Sequence, residues 1–352
     1  MITNNISNFN DLLLVVKISG GSISLLLSIT SLFTNVLLIL AFRKFNSGDC
    51  FAFYLISWQL IAADIANQIL FQLLLAIPIM LSGIAIYGHG IILRIFGIFN
   101  TVTYSAVLFF SALMTLNRAT VFFSPKVNEV IFSRFRIFIP ISVIWVYAIL
   151  IGITLDLGGC YKMYSEKDLL LGFVCTEETV HPIIWVVRQY FRYSPNVLPV
   201  LMFCTYIAIF IYLKITNPIK ITPETLNDQQ ARKKFQTEKL FLLQGFLIFA
   251  MIEIEDISFN FLLGPPNNMA QLWLNIICNW IMIAENLFNP IILFTFNNRI
   301  RIATKNVLLC RPTVVENTFL NPKAQQIIRI NQQQINRIKN RAKINLVNSS
   351  RF

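Results

Sequence analysis

Residues 18–42 read ISGGSISLLLSITSLFTNVLLILAF, with Lys17 just before them and Arg43 and Lys44 just after. No charged side chain interrupts the run. A helix crosses a bilayer with about 20 apolar residues, because each adds about 1.5 Å and every backbone group is bonded within the segment. Ile18–Phe42 is long enough. Six further runs follow, at roughly Phe51–Leu81, Ile91–Leu116, Phe135–Leu155, Ile183–Leu213, Leu240–Leu263 and Ala270–Phe296. They leave no stretch for a large soluble domain.

Composition agrees. Of 352 residues, 56% are hydrophobic and 13% charged, about half the charge of an ordinary soluble domain. A soluble fold would lack the polar residues to cover its surface. A disordered chain, a small disulfide scaffold and a cytosolic enzyme are excluded, and a β-barrel would show short alternating strands instead of long apolar runs. The expected fold is an all-α membrane protein, a bundle of seven transmembrane helices.

The net charge of +12 comes from 29 Lys and Arg against 17 Asp and Glu. With the N-terminus outside, 23 of the basic residues fall on the inner side and 6 on the outer. That bias sets N-terminus out, C-terminus cytoplasmic. The basic inner face suits an anionic lipid leaflet. The tail has no RNA-reading motif, so nucleic acid is not the expected partner. Residues 1–17 read as an extracellular N-terminus without a cleavable signal, and 18–297 as the seven-helix domain. Residues 298–311 read as a short amphipathic surface helix, and 312–352 as a basic, disordered cytoplasmic tail. Asn5-Ile6-Ser7 is an outer glycosylation sequon.

Ionisable residues inside membrane spans are costly and point to function. Asp64, Glu253, Glu255, Asp256 and Glu285 are such residues. Glu285 and Asn289 stand one helical turn apart. With Asn35 and Asp64 they make a candidate polar switch core, beside a hinge at Pro290; interhelical hydrogen-bond glue is the plainer alternative. Glu253, Glu255 and Asp256 face an outer cavity or, in the slightly favoured reading, sit in wet headgroups because span six ends early. Tyr104, Tyr190, Glu253 and Asn279 are the candidate ligand contacts. Cys160 and Cys175 share the second outer loop, where an oxidising milieu favours a disulfide closing a loop of about 15 residues, with two free thiols as the alternative. Asn117 and Arg118 end span three at the inner boundary, and Arg232, Lys233 and Lys234 add basic charge in the third inner loop. No metal-ligand spacing, phosphate loop or nucleophile–base set occurs, so neither cofactor nor enzyme is expected. A transporter or channel is the alternative to a receptor, but no internal repeat supports it.

These residues resemble those of seven-helix G-protein-coupled receptors of the rhodopsin-like fold. Thr34-Asn35-Val36, Ala62-Ala63-Asp64, Asn117-Arg118, Trp145 and Asn289-Pro290-Ile291-Ile292-Leu293 resemble that fold's motifs in spans one, two, three, four and seven. More narrowly, two groups of motifs resemble nematode serpentine chemoreceptors of the Srg superfamily, nearest its Srv branch. One is Phe45-Asn46-Ser47-Gly48 with Phe53-Tyr54-Leu55-Ile56-Ser57; the other is Leu116-Asn117-Arg118-Ala119-Thr120 with Ser124-Pro125. The resemblance implies an external chemical ligand and a heterotrimeric G protein engaged by Asn117, Arg118 and Arg232–Lys234. It also implies a multi-pass plasma-membrane protein, in sensory cilia. The sequence departs from the pattern in three places. No Cys opens span three at Gly88-His89-Gly90, span six lacks a central proline and tryptophan, and Asn117 replaces the acid before the arginine.

Overall fold

The structure is a computed structural model. It describes residues 2–43, 51–82, 84, 86, 90–165, 168–175, 182–216, 226–265 and 268–309. The chain divides into two units, Met1–Leu308 and Leu309–Phe352. All that follows concerns the first; the tail and Cys310 lie outside the described residues, as do Cys50, His89 and His181.

Seven long helical segments form the bundle. They are α1 (Ile2–Arg43), α2 (Phe51–Asn67) continued by a π-helical stretch (Gln68–Ala76) and α3 (Ile77–Ser82), α4 (Ile91–Phe123), α6 (Phe138–Leu157), α7 (Pro182–Thr216), α8 (Leu226–Phe261) and α9 (Met269–Phe296). Among the described residues, six of the seven are long and apolar enough to cross a membrane by length and composition alone. The seventh, α8, carries Glu253, Glu255 and Asp256. The described residues also include two short helices, α5 (Pro125–Ile131) and α10 (Asn298–Leu308), and one antiparallel hairpin, β1 (Cys160–Ser165) and β2 (Leu170–Cys175). α10 occupies the stretch expected to be a surface helix.

α1 shows how these helices are built inside out. Ser24, Ser28, Ser31 and Asn35 recur every three or four residues and are fully buried, while Leu26, Ile29 and Phe33 are exposed. The polar stripe faces the other helices and the apolar one faces outward, as hydrocarbon demands. Two hydroxyls of α1 are satisfied within the helix: Ser24 Oγ donates to Gly20 O at 2.9 Å and Thr30 Oγ1 to Leu26 O at 2.8 Å. Ser24 Oγ also accepts from Trp280 Nε1 at 3.0 Å, which ties α1 to α9.

The π stretch departs from the single regular span expected at Phe51–Leu81. Its wider turns place Gln68 and Gln72, both fully buried, against α9: Asn286 Nδ2 donates to Gln68 Oε1, and Gln72 Nε2 to Asn279 Oδ1. We identify no signal for it in the residue spacing. Pro140 lies in the first turn of α6, where the missing N–H removes no helical bond. Pro195, Pro199 and Pro290 are interior. At Pro290 the consequence is direct. A proline cannot donate to the carbonyl four residues back, which is Asn286 O. Asn35 Nδ2 donates to that oxygen instead, at 3.0 Å.

The largest packed cluster fills the half of the bundle around Leu38, Phe53, Ile56, Phe110, Met114 and Ile292. A second, around Phe71, Leu75, Met80 and Ile276, includes Tyr164 and Leu169 of the hairpin, so the hairpin is folded onto the bundle. Gly97 permits this. A Cβ there would collide with the backbone carbonyl of Lys162.

Candidate functional site

The hairpin decides the geometry of the outer end. Its register pairs Cys160 with Cys175, Lys162 with Phe173 and Tyr164 with Leu171. Alternate residues share a face, so Lys162 and Phe173 lie on the face that carries the disulfide. Cys160 and Cys175 are bonded. The turn is fixed by Ser165 Oγ donating to Asp168 Oδ2 at 2.8 Å, and Asn275 Nδ2 of α9 donates to Asp168 O at 2.8 Å. Asn275 Nδ2 also donates to Gly264 O at 3.1 Å, so one side chain holds both the hairpin tip and the turn after α8.

Beneath the hairpin is a cavity of about 630 Å³, within the range of small-molecule sites. α4 contributes Asn100, Thr103 and Tyr104; α8 contributes Glu255, Asp256 and Asn260; α9 forms a wall with Met282, Glu285 and Asn286. Lys162 Nζ enters from the roof. It donates to Asn100 Oδ1 at 2.9 Å and lies 5.0, 5.3 and 5.9 Å from the ring centroids of Tyr104, Phe173 and Phe191. Burial pushes the Lys162 ammonium down to about 8, against the pull of Glu255. Asn100 Nδ2 donates to Asn67 Oδ1 at 2.9 Å, which orients the acceptor that Lys162 meets. Across the cavity Tyr104 Oη donates to Asp256 Oδ1 at 3.4 Å.

One of the four expected ligand contacts, Tyr104, lines this cavity. Tyr190 is exposed and meets Tyr147 edge to face, because it lies on the other side of α7 from Phe191 and Pro195. Glu253 is half-buried and outside the lining, since α8 turns Glu255 and Asp256 inward. Asn279 is buried against Gln72, outside the cavity lining and nearer the hairpin end of α9 than Met282. The slightly favoured reading of span six is also corrected: α8 continues to Phe261, and Glu255 and Asp256 are buried cavity walls instead of headgroup acids. Lys162 was missed altogether. Had the two cysteines been read as a cross-strand pair, the alternation of a strand would have put Lys162 on the disulfide's face.

The polar core expected from Asn35, Asp64, Glu285 and Asn289 is split in two. Asn289 Nδ2 donates to Asp64 Oδ2 at 2.7 Å, and Asn35 holds the carbonyl released by Pro290. Glu285, one turn away, belongs to the cavity. Asp64 is fully buried, and its other carboxylate oxygen, Oδ1, has no hydrogen-bond partner among the described residues. Trp145 Nε1 donates to Gln59 Oε1 at 2.9 Å, joining α6 to α2.

At the far end of α4, Asn117 Nδ2 donates to Asn128 Oδ1 of α5 at 3.1 Å, and Thr120 Oγ1 donates to the same oxygen. The Arg118 guanidinium lies over the Phe53 ring at 4.5 Å and is 2% exposed. The side chains of Asn5, Arg232, Lys233 and Lys234 lie outside the described residues.

Residues 25–297 match the family model of the serpentine type seven-transmembrane G-protein-coupled chemoreceptor Srx. The short motifs had pointed to nematode serpentine chemoreceptors of the Srg superfamily, nearest its Srv branch; the match supports the serpentine chemoreceptor and does not confirm that branch. Among solved structures, squid rhodopsin superposes with a TM-score of 0.68 over 87% of this chain and 90% of that one, at 16% identity. That likeness concerns the fold alone. No curated protein sequence matches the chain.

Proposed function

The chain belongs to the serpentine seven-transmembrane chemoreceptor family Srx, a family of G-protein-coupled signalling receptors and not of enzymes, and on that premise we propose how it signals. An external chemical ligand enters the cavity under the hairpin. It changes the packing of α8 and α9 through Glu255, Glu285 and Asn286. The change passes one turn along α9 to Asn289 and Asp64, and reaches Arg118, where a heterotrimeric G protein engages Asn117, Arg118 and the basic run Arg232–Lys234. The receptor acts at the plasma membrane of a sensory cell, in its cilium, with the N-terminus outside and the basic inner face on anionic lipid.

The observation that carries this reading is the continuity of α9. Glu285 and Asn286 wall the cavity, Asn286 O is the carbonyl released by Pro290, and Asn289 holds Asp64. A ligand shifts a two-state bundle only through different affinities for the two states. An acceptor freed by proline and held by a side chain is a bond that such a shift can exchange cheaply.

The test is a signalling assay. The full chain is expressed, the outer N-terminus confirmed by antibody on intact cells, and cAMP, cGMP and Ca²⁺ recorded against a panel of odorants and peptides. A ligand response that is lost in Arg118→Ala at unchanged surface level supports the reading. A response that survives Arg118→Ala, or a cytoplasmic N-terminus, overturns it.

A further inference from the structure

The cavity holds a cation that the chain itself supplies. Three rings from three elements, Tyr104 of α4, Phe173 of β2 and Phe191 of α7, surround the Lys162 ammonium at 5.0 to 5.9 Å. Ring faces carry negative potential and attract ammonium groups. The site therefore displays, in its own structure, the chemistry it accepts: a positive nitrogen among aromatic faces. The nitrogen also needs N–H donors, since Asn100 Oδ1 accepts from it at 2.9 Å and is oriented by Asn67.

The surrounding charge points the same way. Glu255, Asp256 and Glu285 line the cavity, against Lys162 and the exposed Arg188. An entering carboxylate would meet three acids. An entering ammonium would meet them as partners, provided the cage were vacated. The lysine can vacate it. Lys162 sits on a hairpin clamped through Cys160–Cys175, Gly97 and Asn275, so its backbone is fixed, but its four-carbon stem is flexible.

We propose that Lys162 is a tethered stand-in for the ligand's ammonium, and that the external ligand is a primary or secondary aromatic amine that displaces it from the cage of Tyr104, Phe173 and Phe191. This rests on the reading of the cavity as the ligand site. The lysine holds the empty cavity in one arrangement and lowers its affinity for every amine by competing for the same rings. The ligand's aromatic part lies against Phe259 and Met282.

Binding to the full chain in lipid nanodiscs tests this with two probes of one shape and opposite charge, phenethylamine and phenylacetate. Lys162→Met, with Lys162→Gln as a second variant against misfolding, removes the competing charge. Phenethylamine then binds at least tenfold tighter than to the wild type, and Glu255→Gln weakens it. Equal phenethylamine affinity with and without Lys162 overturns the proposal, as does its failure to bind the Lys162 variants. So does phenylacetate binding that needs Lys162, which would make the lysine an anion receptor. Asn260→Trp separates this from failure of the cavity itself. Asn260 lines the cavity and is exposed, so the larger side chain is tolerated there and crowds the cavity. Binding of either probe lost in Asn260→Trp keeps the cavity as the ligand site, so a phenylacetate result of that kind sinks only the amine. Phenethylamine binding untouched by Asn260→Trp overturns the cavity reading and the proposal with it.

Discussion

Lys162 and Arg118 lie over aromatic rings at opposite ends of α4. At one end Lys162 sits among Tyr104, Phe173 and Phe191; at the other Arg118 lies over Phe53. The surroundings differ. Lys162 is half-buried and borders a cavity of about 630 Å³, on a hairpin. Arg118 is 2% exposed and packs beside Phe53, a member of the largest apolar cluster. The lysine can exchange partners by turning its own side chain. The arginine can do so only if helices move, because a packed interior is bistable and not continuously deformable. An adaptable outer end and an all-or-none inner end are what a receptor needs. The Asp64–Asn289 contact and the Asn35–Asn286 bond lie in the α1–α2–α9 interface between the two regions.

The largest expected effect attacks the clamp at the outer end. Replacing Cys160 and Cys175 with alanine removes a loop constraint of 15 residues, worth roughly 3 kcal/mol in the chain-entropy model. Thermal unfolding in nanodiscs should shift down, and ligand affinity should fall further than that loss of stability explains. An unchanged Tm would mean that Gly97 packing and Asn275 hold the hairpin unaided, and the contrast between a clamped outer end and a packed inner end would break.

Next comes the link between the ends. Asn289→Ala leaves Asp64 Oδ2 buried without its donor, a cost of roughly 1–3 kcal/mol. Signalling should fall while ligand affinity, measured directly, stays near that of the wild type. A matching fall in affinity would place Asn289 in the ligand site instead of between the two regions.

The smallest effect is a pH dependence, which sharpens the description of Lys162. Its folded-state pKa of about 8 is below the ordinary 10.5. Between those values the unfolded chain binds the proton more readily, so raising the pH through the window of about 8 to 10.5 stabilises the fold; below about 8 the penalty is constant. Tyr104, Glu255 and Asp256 also face this ammonium, so the measurement is a difference: the Tm of the wild type minus that of Lys162→Met, followed from pH 7 to 10. The difference should rise with pH. A flat profile would place the ammonium in water.

Much of this molecule is legible in the chain. The seven apolar runs became seven bundle helices; Asn289 bonds Asp64, and Asn35 bonds the Asn286 carbonyl. Glu285 did not join them. Residues 285 and 289 share a helix face, but one turn separates a cavity wall from a buried hydrogen bond. The ligand contacts were the least legible. Tyr190, Glu253 and Asn279 sit at suitable depths on suitable helices, yet they point elsewhere.

The sequence by itself determined the seven apolar runs and, through them, the seven long helices. A bilayer imposes constraints that act along the chain, on length, apolarity and flanking charge. The tertiary structure alone decided which acids of α8 turn inward, that Lys162 enters an aromatic cage, and that Asn35 takes the carbonyl released by Pro290. Each depends on how a helix is rotated about its axis or how a loop folds back. Both are set by contacts between residues far apart in sequence, such as Gly97 with Lys162, Asp168 with Asn275, and Asn35 with Asn286.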